Sequence, residues 1–135
     1  MVFVSAGIGI TPMAGMLSRL VKARSRLPVM LLHADHQEDR FALRGQVLGD
    51  ITASPGGSVY VWYEQGAHSQ LPLTGVFAGE MDISWVSLPN HASYHLCGPI
   101  PFMHEIDSAL TKRGVSPQDI QYEVFGPDLW HGDYK

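Results

Sequence analysis

The sequence predicts an α/β fold: one five-stranded parallel sheet, of order 3-2-1-4-5, with helices on both faces in three αβα layers. Three observations lead there. Short apolar, β-branched runs recur at residues 2–4, 29–33, 58–63, 94–97 and 120–124. Stretches of helical spacing fall between most of them, and such alternation builds parallel βαβ units buried on both sides. Right-handed crossovers then wind the chain outward from the first strand before it reverses, which gives the order. The 135 residues are enough for one domain with a sizeable core.

Val2, Phe3 and Val4 form the first strand, and the glycine-containing segment 7–11 leaves it. Thr11 is suited to an N-cap and Pro12 to a first helical position, because proline lacks an amide that the helix start leaves unpaired anyway. Met13, Met16, Leu17 and Leu20 repeat at helical spacing, with Arg19 and Lys22 off that face, and the helix should end near Arg26, before Pro28. Residues 29–33 are the second strand. A polar stretch over 35–39 follows, then a helix from Arg40 to about Ile51 that Gly45 and Gly49 weaken. Pro55, Gly56 and Gly57 make a turn into the third strand. Residues 64–92 read as a long, poorly patterned connection with a short helix around 81–86. The fourth strand, 94–97, ends at Gly98 and Pro99. Pro101 opens a helix with Phe102, Met103, Ile106, Ala109 and Leu110 on one face, Lys112 and Arg113 in its last turn, and Gly114 as its C-cap. Residues 120–124 are the fifth strand, left through Phe125, Gly126 and Pro127. There are no repeats, linkers or low-complexity segments.

A formal charge of −4, a pI near 5.9 and scattered basic residues argue against a nucleic-acid partner. The densest basic run, Lys22, Arg24 and Arg26, sits where a helix ends and reads as a solvated last turn. The one cysteine, Cys97, has no internal disulfide partner, which suits a reducing compartment and a cytoplasmic location. No apolar run approaches the roughly 20 residues that span a bilayer, no signal peptide is apparent, and no membrane partner is expected. Met1 abuts a strand that reads as buried, so a further domain is expected upstream.

In open α/β sheets ligands bind beyond the carboxyl ends of the strands, where the strand order reverses. Here that point lies between the first and fourth strands, and the loops facing it are 7–11 and 97–99. Gly7 and Gly9 allow a tight turn and a close ligand approach. The amides of Thr11, Met13 and Ala14 at the helix start favour an anion such as a pyrophosphate. The segment begins like the dinucleotide-binding fingerprint G-x-G-x-x-G but carries Pro12 where the third glycine belongs. A lone G-x-G is equally compatible with a plain strand-to-helix turn. Cys97, at a strand end, is expected to be only partly covered, although a buried cysteine is commonly just a small hydrophobe. G-x-S-x-G is absent, and no Ser/His/Asp arrangement is readable that would make Ser5 a nucleophile.

Three motifs settle the reading of the loop. They are residues 5–13 (SAGIGITPM), 94–99 (YHLCGP) and 122–127 (YEVFGP). In this order and at these strand ends the chain resembles the ferredoxin–NADP reductase-like flavoenzymes, especially the reductase portion of flavohaemoglobins. The resemblance covers essentially all of residues 1–135, as the pyridine-nucleotide half of such a reductase, and G-x-G-x-x-P is that family's own loop. It implies an NAD(P)H-dependent flavin oxidoreductase. Gly7, Gly9, Ile10, Thr11 and Pro12 would bracket the pyrophosphate and nicotinamide ribose. Cys97, Gly98 and Pro99 would lie beside the nicotinamide, Cys97 near the hydride-bearing carbon, and Phe102 and Met103 of the next helix would also be cofactor-binding. Glu123 and Phe125 would approach the flavin, Phe125 covering it until nicotinamide enters. Cys97 and Glu123 are the implied catalytic residues; the cofactors carry the redox chemistry and the protein supplies orientation and electrostatics. The family's FAD-binding β-barrel, marked by Arg-x-Tyr-Ser/Thr, has no counterpart here. FAD is therefore expected on an upstream partner domain, with electrons passing on to a haem, an iron–sulfur centre or a diffusible acceptor. The rival reading is a non-catalytic nucleotide-sensing or interaction module on the same scaffold.

Residues after the second strand should meet the adenosine ribose, where an acid suits a 2′-hydroxyl and arginines a 2′-phosphate. Asp35, beside His33 and His36, favours NADH, and Arg40 and Arg44 read as a solvated helix face. His33-x-x-His36 and His131 with Asp133 lack a third ligand at workable spacing, so no metal site is expected. Trp130 and Tyr134 are expected to pack on the domain or on a neighbour.

Overall fold

The computed structural model describes residues 1–66 and 74–123. Phe125, Trp130, His131, Asp133 and Tyr134 lie outside that range. In chain order the elements are β1 (Val2–Ala6), α1 (Ile10–Lys22), β2 (Met30–Asp35), α2 (Arg44–Ala53), β3 (Ser58–Tyr63), β4 (Gly75–Ala78), β5 (Tyr94–Cys97), α3 (Ile100–Lys112) and β6 (Ile120–Tyr122). The strands form one parallel sheet in the order β4-β3-β2-β1-β5-β6. The five expected strands keep their expected order, but the sheet has six strands, not five. The addition, β4, is a four-residue edge strand on β3 within the connection read as unpatterned. Its Gly75 stands opposite Tyr60, whose ring a Cβ would meet at 2.8 Å, so the glycine that obscured the strand is what lets it pair. The helix expected near 81–86 is a single 3₁₀ turn, Ile83–Trp85, capped by the Asp82 carboxylate, which accepts from the Ser84 amide and hydroxyl.

Alternate residues of each central strand face opposite layers. Phe3, Leu31 and Val61 pack under α1 and α2 against Met13, Leu17, Val47 and Ile51. Val2, Val4, Leu32, Trp62 and Leu96 pack against Met103, Ile106 and Leu110 of α3. Truncating a fully buried side chain of this set, such as Trp62, costs about 3–5 kcal/mol.

Helix ends differ from expectation for local reasons. Residues 7–9 already form a 3₁₀ turn, so α1 starts at Ile10 with Gly9, not Thr11, as N-cap. Pro12 thus stands at the third helical position, still within the first turn, where a missing amide breaks no bond. The helix ends at Lys22, short of Arg26, because Arg24 turns to φ 52°. The Arg24 amide donates to Val21 and that of Ser25 to Leu20, both at 3.0 Å, which closes a Schellman motif. α3 closes the same way, with Gly114 at φ 92° in the left-handed position. α2 begins at Arg44, later than Arg40, because Phe41 is buried and Leu43 adopts φ 56°. Gly45 and Gly49 fall on its exposed face and disturb no packing.

Candidate crevice at the sheet reversal

The order reverses at β1, between β2 and β5, and there the two glycine loops touch. Gly7 adopts φ 56°, a conformation open to glycine at little cost. Gly9 needs no unusual dihedral, but a Cβ on it would lie 2.2 Å from the Cys97 carbonyl oxygen. A Cβ on Gly98 would stand 2.8 Å from the Phe102 ring and 3.3 Å from Ala6. Gly9 therefore admits no side chain while the loops nest, and Gly98 would admit one only if the Phe102 ring moved. Beside them opens a cavity of about 340 Å³, bordered by Gly7, Asp35, Glu64, Phe102 and Glu105 among others.

Asp35 is held on the rim by a buried relay. β1 and β2 pair in register at Ser5 and His33. Ser5 Oγ and His33 Nδ1 are 2.8 Å apart, and His33 Nε2 lies 3.0 Å from Asp35 Oδ2. A carboxylate only accepts, so Nε2–H donates to Asp35. Burial pushes His33 below its ordinary 6.5, partly offset by Asp35, so the ring is neutral and Nδ1 accepts from the Ser5 hydroxyl. Asp35 Oδ1 also accepts from the His36 amide at 2.9 Å. A Ser/His/Asp chain thus exists that the sequence did not reveal. It makes no nucleophile, because Ser5 is fully buried.

The other expected residues divide by burial. Gly7, Asp35 and Phe102 border the cavity, and Thr11 and Pro99 are exposed beside the loops. Pro12 is half-buried. Ile10, His33, Cys97 and Met103 are 0–2 % exposed, with side chains inside the domain. For Cys97 this corrects the expected partial exposure: Gly9 seats against its carbonyl and its side chain joins the core under α1. Burial, reinforced by the Glu123 carboxylate, pushes the thiol up to about 11. Glu123 lies just beyond β6; its amide donates to the Leu96 carbonyl at 2.8 Å and its Oε2 lies 3.3 Å from His95 Nδ1.

His33 and His36 do not face one site, since His36 Nδ1 lies 2.8 Å from Glu64 Oε2 while His33 turns inward. Among the described residues no three His, Cys, Asp or Glu side chains are grouped to hold a metal ion, and no helix is long and apolar enough to cross a membrane. Arg40 is exposed as expected. Arg44 is not on a solvated face: it is half-buried, with its guanidinium charge near the Tyr63 hydroxyl. Glu64 and Glu105 were not singled out from sequence, and neither were the partners of Ser5, His36 and His95; the register of Ser5 on His33, the chain-distant pairings of 36 with 64 and 95 with 123, and the place of Glu105 on the cavity rim bring them into play.

Glycines that admit a neighbouring backbone at a strand-order reversal suit a dinucleotide, and the sequence family agrees: residues 3–108 match the family described as "Oxidoreductase NAD-binding domain". The chain belongs to this family. Among relatives of this NAD-binding domain, a flavohemoprotein of Rhizobium meliloti is 31% identical over 133 residues, covering 96% of this chain and 33% of the relative. One from Chromobacterium violaceum is 36% identical over 129 residues, covering 93% and 32%. The chain therefore spans about a third of the length of the curated relatives it matches. Of solved structures, a flavohemoglobin from Malassezia yamatoensis with bound FAD and heme superposes with a TM-score of 0.81 at 31% identity, covering 93% of this chain and 31% of that one. The flavohem-like FAD/NAD-binding domain of a nitric oxide dioxygenase from Vibrio cholerae gives 0.79 at 33% identity, covering 93% and 51%.

Proposed function

We propose that residues 1–135 form one NAD-binding domain that presents reduced nicotinamide to a flavin on an adjoining FAD-binding barrel domain, and that electrons pass on to a haem, an iron–sulfur centre or a diffusible acceptor. The observation that carries this reading is the nesting of Gly9 on the Cys97 carbonyl, which brings two glycine loops to the sheet reversal beside a cavity. When bound, the reduced nicotinamide supplies the hydride and the flavin accepts it.

The chain's own groups hold and orient. Gly7, Gly9, Thr11 and Pro12 with the first amides of α1 receive the pyrophosphate, aided by the positive end of the helix. Gly98, Pro99 and Phe102 bound the nicotinamide side. Cys97 shapes the floor as a neutral thiol, consistent with a thiol pushed up to about 11, and attacks nothing. Glu123 meets the flavin side. The cytoplasm is the proposed location.

The ribose acceptor is Asp35, and the nucleotide is NADH. Asp35, Glu64, Glu80 and Glu105 border the cavity, and no Lys or Arg does so among the described residues, so a 2′-phosphate would meet only carboxylates and His36. Calorimetric titration of the chain should give NADH at least about tenfold tighter than NADPH, or about 1.4 kcal/mol. Asp35→Ala should remove most of that ratio. Equal affinities, or a ratio unchanged in Asp35→Ala, would refute the assignment.

A further inference from the structure

Below the strand end that carries Cys97 lies a buried histidine to which the proposed function gives no part. His95 lies on β5, two residues before Cys97 and on the same face of the sheet, with its ring centroid 5.5 Å from that of Phe3. It is 8 % exposed, and its Nδ1 stands 3.3 Å from Glu123 Oε2. Its Nε2 is buried with no hydrogen-bond partner among the described residues. Glu123 is anchored through its amide on the Leu96 carbonyl, while its side chain keeps about a quarter of its surface open, at 28 %.

These facts select one arrangement of the ring proton. With hydrogen on Nδ1, the ring donates to the carboxylate and leaves only a lone pair at buried Nε2. With hydrogen on Nε2, it would bury an unpaired N–H and turn a lone pair against a carboxylate, which costs far more. We infer that His95 is a positioning residue for Glu123, its Nδ1–H pinning Oε2 so that Oε1 stays free to face the bound cofactors. This rests on the reading that Glu123 serves the hydride-transfer site. It adds that the aim of Glu123 is set from β5, by a residue that touches neither nicotinamide nor flavin. Among the described residues the charged group that meets the ring is Glu123, beyond β6; Phe3 of β1 offers none, and Cys97 shares the ring's face of β5 two residues on.

The first test needs no cofactor. Long-range ¹H–¹⁵N correlation spectra of this chain with labelled histidine should show His95 as the Nδ1–H tautomer near neutral pH. In Glu123→Ala the Nδ1 proton loses its carboxylate acceptor, and its resonance should move upfield. An Nε2–H ring in the parent chain, or no response to Glu123→Ala, would overturn the inference. The second test uses the protein joined to its flavin domain and follows flavin reduction by stopped flow. His95→Phe keeps the ring's bulk but loses the donor, and should slow reduction about tenfold with little change in nucleotide affinity. His95→Asn, whose amide nitrogen falls near the Nδ1 position, should recover most of the rate. A full rate in His95→Phe beside a slow Glu123→Ala would refute His95 alone. Full rates in both would refute the role of Glu123 in the underlying reading.

Discussion

Gly9→Ala separates the close approach of two loops from every other effect of a glycine. Gly9 has φ −59° and ψ −13°, ordinary helical values that alanine adopts without strain. On backbone entropy alone the substitution should stabilise by about 0.4–1 kcal/mol. The new methyl would instead sit 2.2 Å from the Cys97 carbonyl oxygen and 2.6 Å from its carbon, whereas ordinary contact begins near 3.4 Å. The loops must part by about 1.2 Å, and both partners are backbone, so no side chain can rotate away. Overpacking of this kind costs about 3 kcal/mol, near the top of the usual range. The net loss is then about 2 kcal/mol, or a urea midpoint lower by about 1 M. Two controls bracket it. Gly15, in α1 with nothing within 4 Å of an added methyl, should gain about 0.5–1 kcal/mol as alanine. Gly7→Ala has equal room but φ 56°, and should lose about 1 kcal/mol. Urea unfolding of all three, with NADH titration of each, makes the comparison. If Gly9→Ala gains stability as Gly15→Ala does and binds NADH unchanged, the nesting of the two loops is wrong.

Cys97 should react with iodoacetamide at pH 7.5 at least about a hundredfold more slowly than a free cysteine, since both burial and a thiol pushed up to about 11 from 9.0 suppress thiolate. Because the unfolded thiol ionises first, its share of stability is whole below pH 9 and lost between 9 and about 11; Cys97→Ala should flatten that limb of a urea-midpoint series. His33 acts at the other end of the scale. Its folded value lies below 6.5, so its share of stability is present above 6.5 and lost as the pH falls below it, and His33→Gln should lose less between pH 7.5 and 5 than the parent. Arg24→Gly should raise stability by about 1 kcal/mol in the same assay, by relieving a left-handed arginine at the end of α1.

Arg24 and Gly114 also show what a sequence can disclose. Both close helices by the same pair of hydrogen bonds, but only Gly114 advertises its dihedral, so one helix end was readable and the other was placed too far along the chain. The five expected strands were readable because each lies in a continuous apolar run with a clear boundary. β4 was not, because it opens on glycine, lies at the sheet edge without a run of its own and exists only through its pairing with β3. The meeting of the loops that hold Gly7, Gly9 and Gly98 was legible, since glycine spacing is local and the strand order brings those two strand ends together. The roles of His33 and Asp35 were only half visible. Register with Ser5 puts one ring in the core and leaves the other group at the cavity, a long-range fact no local pattern encodes. His95 stands inside the YHLCGP motif but reads there as an ordinary strand residue, and it gains a role of its own only from a partner 28 residues away.

The central claim, that the crevice between the two glycine loops receives the nucleotide, is tested most directly by ¹H–¹⁵N spectra of the chain titrated with NADH. Shifts should concentrate at the amides of Gly7, Gly9, Thr11 and Gly98, with a second group at Asp35 and His36. Shifts clustered elsewhere, for example around the exposed Trp85 near the far end of α3, or none at millimolar NADH with the flavin domain present, would contradict it.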